Sequence, residues 1–123
     1  MLDWLMTPEI QTDPHHWWAT FAGHAALGAA LWALMVAVGV ERGLAFVMAM
    51  LGYFIWEFDQ IALFGGDTVD AAVDWSAFSG GALFAWVVWA QRKALIVPVL
   101  ALIAMAGFAG ASDAKKRKWG GPR

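Results

Sequence analysis

Five polar side chains stand among neighbours that are nearly all apolar: His24, Glu57, Gln60, Asp70 and Asp74. An imidazole and two carboxylates can ligate a divalent cation, so His24, Glu57 and Asp74 form a candidate metal set. Histidine and carboxylate can also do acid–base work. At membrane depth the same groups can relay protons or hold a cationic lipid head group. Each chemistry requires that three separate stretches of chain bring these residues together.

Those stretches belong to a strongly apolar chain. Its 123 residues are 61% hydrophobic and 15% charged, against about 45–50% and about 25% in a soluble domain. The excess lies in long runs, which marks an integral membrane protein. The net charge of -2 implies no nucleic-acid partner. The basic residues gather near the C-terminus, in Lys115, Lys116, Arg117, Lys118 and Arg123. With no cysteine, disulfides, thiolate metal sites and cysteine nucleophiles are excluded. Nine tryptophans suit a chain with two membrane–water boundaries, where an amphipathic ring is partly wet.

The pattern predicts an all-α fold: an integral membrane four-helix bundle over residues 15–111. Residues 1–14 read as an interfacial or disordered lead-in. Their acidic residues and lack of an early apolar core do not suit a signal peptide. Asp13-Pro14 is a helix start, with an acidic N-cap followed by proline. The helices are expected over about 15–39, 44–64, 69–91 and 94–110, from the apolar runs and their punctuation. Trp17 and Trp18 should mark the boundary where the first begins. Val40-Glu41-Arg42-Gly43, Gly65-Gly66 and Arg92-Lys93 supply the turns. Pro98 falls near the start of the fourth helix, where a missing amide proton costs least. Residues 112–123 read as a basic disordered tail.

Four spans put the N- and C-termini on the same side, together with the Gly65–Asp70 loop. That side carries five Lys and Arg against three on the other. The positive-inside rule then favours cytoplasmic termini in a bacterial-type cytoplasmic membrane. Depth follows from the helical rise of about 1.5 Å per residue. His24 lies roughly 10 Å beyond the Trp17-Trp18 belt, Glu57 roughly 10 Å inside Phe64, and Asp74 about 6 Å past Asp70. The faces agree as well. His16, Thr20 and His24 form one stripe, Tyr53, Glu57 and Gln60 a second, and Asp67, Asp70 and Asp74 a third. Ala77 and Gly81 extend the third stripe with small residues that let another helix pack close behind it. Asp59 falls off the Glu57 face.

Plainer roles stand beside this reading. Asp67 and Asp70 can cap the third helix. His15 and His16 suit the interface. His24, Glu57 and Asp74 can form an interhelical hydrogen-bond network that only holds the bundle together. Ser76 and Ser79 point away from the Asp70-Asp74 face, which suits packing and not a nucleophile. No HExxH, Walker or nucleophile-elbow motif is present, so the balance is against an enzyme and no cofactor beyond a divalent cation suggests itself.

Glu57-x-x-Gln60 followed by Asp70-x-x-x-Asp74-x-x-Ala77-x-x-x-Gly81 resembles the signature of VanZ-like small membrane proteins. Those have Glu-x-x-Gln on one helix and Asp-x-x-x-Asn-x-x-Gly-x-x-x-Gly on the next. Related YfiM-like proteins add a histidine on the preceding helix, a place His24 could fill. The resemblance covers about residues 21–83. Asp74 stands in place of the asparagine and Ala77 in place of the first glycine. The family is associated with cell-envelope lipids and glycopeptide tolerance, so the resemblance implies a multi-pass envelope protein.

Three functions follow as expectations. In the first, a polar pocket near the cytoplasmic boundary binds a cation or a lipid head group in an envelope-related role. In the second, the chain is a phage-type holin or other pore former, oligomeric, with the carboxylates lining the pore. In the third, it is a structural accessory subunit of a larger membrane complex, held by its Trp and small-residue surfaces. Membrane lipids are partners in all three.

Overall fold

The computed structural model describes residues 13–120, and the side chains of 13 and 15–116 within them. Residues 1–12 and 121–123 lie outside the described residues, and with them most of the expected lead-in and the end of the expected tail. The described chain is four helices: α1 (Pro14–Ala37), α2 (Arg42–Phe64), α3 (Thr68–Trp89) and α4 (Lys93–Gly120). Each is long and apolar enough to cross a membrane, with spans of 22 to 24 residues. At about 1.5 Å per residue, such spans exceed a hydrocarbon core of about 30 Å. Trp17, near the start of α1, packs with Ala114 of α4, so the two termini share one end of the bundle.

The helix ends show why the punctuation works. Asp13 caps α1 by accepting from the His15 amide at 3.2 Å, with Pro14 opening the helix. At the other end, Gly39 takes φ +96. Its N–H donates to Val36 O, and the Val40 N–H donates to Met35 O at 2.9 Å. This is a Schellman closure, and it needs a left-handed residue at that place. Gly65 ends α2 with φ +71. Asp67 caps α3 by accepting from the amides of Val69 and Asp70. The α3–α4 turn repeats the Schellman bonds, from Gln91 N–H to Val88 O and from Arg92 N–H to Val87 O. Here the left-handed position, φ +56, is occupied by Gln91.

The fourth helix corrects the expected boundary. It does not stop near residue 110, and helix continues through most of the expected tail, to Gly120. Gly107 and Gly110, which resemble a stop, are packing positions. A Cβ at Gly107 would collide with the Trp18 ring, and one at Gly110 with the Trp17 ring. Ala114, one turn beyond Gly110, is buried against Trp17 and Phe21. Lysines in the last turns also suit the negative end of the helix dipole. Trp17 is 4% exposed and Trp32 fully buried. These two rings are therefore core and not boundary anchors.

The packing is that of a flattened bundle. α1 and α3 form the central pair, while α2 and α4 flank them without substantial contact between themselves. The α1–α3 crossing is backbone on backbone. A Cβ on Gly81 would overlap the carbonyl of Ala25, and one on Gly28 the carbonyl of Phe78. Small residues that allow such approach are the usual device for associating helices in lipid, where apolar side chains gain nothing by leaving the tails.

Two hydrophobic clusters divide the molecule. One joins α1, α3 and α4 at the terminal end, around Trp17, Phe21, Ala77 and Ala114. The other joins α1, α2 and α3 at the opposite end, around Trp32, Ala45 and Ala82. Leu51, Phe54, Ile55 and Phe58 on α2, and Val97, Leu102, Met105 and Phe108 on α4, are each more than half exposed. Surfaces so large and apolar match a lipid solvent.

Candidate functional site

Neither cluster fills the space between α1, α2 and α3 at the terminal end. A cavity of about 600 Å³ lies there instead. Every residue singled out from the sequence lines it: His24 from α1, Glu57 and Gln60 from α2, Asp70 and Asp74 from α3. The three stripes thus meet, although His16, the outermost member of the first, does not reach the cavity. Asp59 is absent from the wall as well, as its position off the Glu57 face requires.

Across the cavity wall α1 and α3 meet in an ion pair by distance. His24 Nδ1 lies 3.0 Å from Asp74 Oδ1. The approach does not meet the angular requirement of a hydrogen bond, and Nδ1 is buried without a directed partner. The pair is one of charge proximity, not of a directed hydrogen bond.

Glu57 is the single buried charged residue among the described ones, with 7% exposure. The Tyr53 hydroxyl, one turn earlier on α2, lies within hydrogen-bonding reach of its carboxylate. Tyr53 itself stacks on Phe78 of α3, with ring centroids 4.3 Å apart and planes within 8°. Its ring also faces His24 at 5.7 Å. This aromatic stack forms part of the cavity wall and fixes the face that α2 turns toward α3. The Trp75 indole N–H donates to Met50 O at 3.1 Å, a second tie between the same helices.

Among the described residues, no group of three or more His, Cys, Asp or Glu side chains is placed to hold a metal ion. The expected metal set of His24, Glu57 and Asp74 is therefore not assembled. The physical reason is pairing: Asp74 turns to His24 and Glu57 to Tyr53, so the donors do not converge on one point.

Asp67, read both as a cap and as a member of the third stripe, caps α3 and lines the cavity. One feature escaped the sequence reading: the apolar half of the wall, with Leu27, Leu31 and Trp56. The signal was available, since Thr20, His24, Leu27 and Leu31 continue one stripe at spacings of three and four. Ser76 behaves as expected of a packing residue, its hydroxyl donating back to Ala72 O at 2.6 Å.

The cavity is acidic, and among the described residues no lysine or arginine lines its wall. It can neutralise a cation, and it offers a phosphate or carboxylate no permanent positive partner. No family model, no curated protein and no solved structure matches this chain. The described residues form four helices, each long and apolar enough to span a membrane, as in a multi-pass membrane protein.

Proposed function

We propose that this protein binds a cationic head group from the membrane in the cavity between α1, α2 and α3. The observation that carries the reading is the cavity itself, about 600 Å³ in a small bundle, walled by Glu57 and Asp74 with His24 as the one basic side chain among the described residues that line it. Glu57 supplies a buried carboxylate, and an ion that enters gives that charge a partner. Tyr53 and Trp56, also on the wall, offer aromatic faces of the kind that attract ammonium groups. The polar residues of the VanZ-like resemblance, Glu57, Gln60, Asp70 and Asp74, line this cavity. That coincidence supports an envelope-lipid role.

The inward position of the carboxylates favours a binding site over a pore. A pore former needs its polar residues on an outer face, to be shared between subunits, and here the outer faces of α2 and α4 carry Phe54, Phe58, Val97 and Phe108. The reading is tested by titrating the purified protein, in uncharged detergent, with dodecyltrimethylammonium and following the tryptophan fluorescence change that is lost in a Trp56→Phe variant. Glu57→Gln should weaken binding about tenfold or more, since a charge-assisted contact of about 1.5–3 kcal/mol is lost. Equal affinity in wild type and a correctly folded Glu57→Gln protein would refute it.

A further inference from the structure

The cavity is polar at one end and apolar at the other. Thr20, Gln60, Asp67 and Asp70 line it toward the terminal end, while Leu27, Leu31 and Gly52 line it further into the membrane. By the helical rise of about 1.5 Å per residue, Leu31 lies roughly 25 Å from the start of α1 and Gly52 roughly 18 Å from the end of α2. The apolar part is also open at its side. Leu27 is 55% exposed and Leu31 38%, and Gly52 has no neighbour within 4 Å of where a Cβ would stand. α1 and α2 touch far less than α1 and α3 do. The seam between them is therefore a slot that faces lipid along its length.

We infer that the ligand is a long-chain amphiphile with an ammonium head and no phosphate, which slides into the cavity sideways through the α1–α2 seam. Its head lies among Glu57, Asp70 and Asp74, and its chain runs along Leu27, Leu31 and Gly52 toward the bilayer midplane. This inference rests on the proposed binding of a cationic head. It adds the chain, the route and the orientation. Charge complementarity selects the head. A phosphate next to the ammonium would lie beside Glu57 and Asp74, with His24 already engaged by Asp74, and like charges in a low dielectric repel strongly. The apolar slot selects the chain, and the order of polar and apolar wall along the helices fixes which end points where.

The test is photolabelling in nanodiscs of uncharged lipid. The reagent is an alkyltrimethylammonium with a diazirine at the end of its chain, and labelled peptides are read by mass spectrometry. The expected label falls on Leu27–Leu31 and Gly52–Trp56, is removed by excess dodecyltrimethylammonium, and is lost in Glu57→Gln. Gly52→Leu, which fills the slot in open space, should reduce that label at least fivefold, while Gly23→Leu, exposed and with nothing within 4 Å of its Cβ position, should not. Competable label confined to outer-face residues such as Phe58 or Phe108 would overturn the route and leave head binding intact. Equal protection by tetramethylammonium and by the long-chain compound would mean a free cation is the ligand, and would overturn the chain. No competable label anywhere, with no binding in solution, would refute the head-group reading itself.

Discussion

The α1–α3 crossing makes the sharpest structural prediction. Replacing Gly81 with alanine puts a Cβ 2.8 Å from the Ala25 Cα and into its carbonyl group, where ordinary contact begins at 3.4 Å. Both obstructing atoms are backbone, so no rotamer change relieves the overlap, and the helices must part by about 1 Å or more. Overpacking of this kind costs about 1–3 kcal/mol, and a rigid obstacle places Gly81→Ala near the upper end. Gly23→Ala is the matched control. It sits in the same membrane with nothing within 4 Å, and alanine is the better helix former by about 0.5–1 kcal/mol. The two variants should therefore differ by about 3 kcal/mol. Reversible unfolding in mixed micelles, followed by far-ultraviolet circular dichroism, measures the difference. The crossing also lies within one turn of His24. A separation of about 1 Å would stretch the 3.0 Å contact between His24 and Asp74 to the limit of an ion pair. If Gly81→Ala is as stable as Gly23→Ala, the close approach of α1 and α3 is wrong, and the geometry of the His24–Asp74 pair falls with it.

Two further substitutions probe the turns. Gln91 holds a left-handed backbone at φ +56, which costs a residue with a side chain about 1–2 kcal/mol. Gln91→Gly should raise the unfolding midpoint in detergent, by somewhat less than that cost, because the weak 3.3 Å bond from Gln91 Nε2 to Val88 O is lost and glycine gains freedom in the unfolded chain. An unchanged or lowered midpoint would show that the turn gains nothing from glycine. Glu41 caps α2 from outside the span, accepting from the Leu44 amide at 2.8 Å. Backbone N–H groups of Gly43 and Leu44 hold its carboxyl below the ordinary value of 4.5. A group depressed in the folded state contributes stability above its unfolded pKa and loses it as pH falls through the folded one. Between neutral pH and the acid range, wild type should therefore lose more stability than Glu41→Gln. Parallel pH profiles in the two proteins would remove Glu41 from the account.

Much of this molecule is legible in the residues alone, for identifiable reasons. Membrane depth converts position in the chain into height, so Glu57 and Asp74 could be placed at one level from the Gly65-Gly66 turn. A polar stripe on an apolar helix must face inward, so the helical spacing of Tyr53, Glu57 and Gln60 fixed a face. Capping works the same way, and Asp13-Pro14 and Asp67 begin helices where their types demand. What was illegible depends on pairs of helices. Gly107 and Gly110 have the composition of a helix end, and only the presence of Trp17 and Trp18 across the gap makes them contacts. Nothing local says that Trp32 is buried through its indole N–H donating to Arg42 O at 3.1 Å, because a tryptophan in an apolar run suits a boundary equally well. The pairing within the expected metal set was not legible either. Side-chain types at one depth do not reveal that His24 and Asp74 face each other while Glu57 faces Tyr53.

The placement of the cavity is a consequence of how α2 is held. At the end away from the termini, α2 is tied in by the Trp32 bond to Arg42 and by Ala45 packed against Trp32 and Ala82. Halfway along, Trp75 reaches Met50 and Phe78 stacks on Tyr53. Beyond that point toward the termini, α1 and α3 stay clamped by the α4 contacts of Trp17 and Trp18, but among the described residues no hydrophobic cluster joins α2 to them. The space left between the three helices is the cavity. Polar residues occupy it because a cavity that admits water or a head group is the one interior place in such a bundle where carboxylates can be satisfied. An apolar filling, with leucine at positions 57 and 74, would let α2 collapse onto α1 and α3 and erase the cavity. Retaining Glu57 and Asp74 keeps it open, so the two carboxylates to which we assign cation binding in our proposal would also maintain the space that an ion needs.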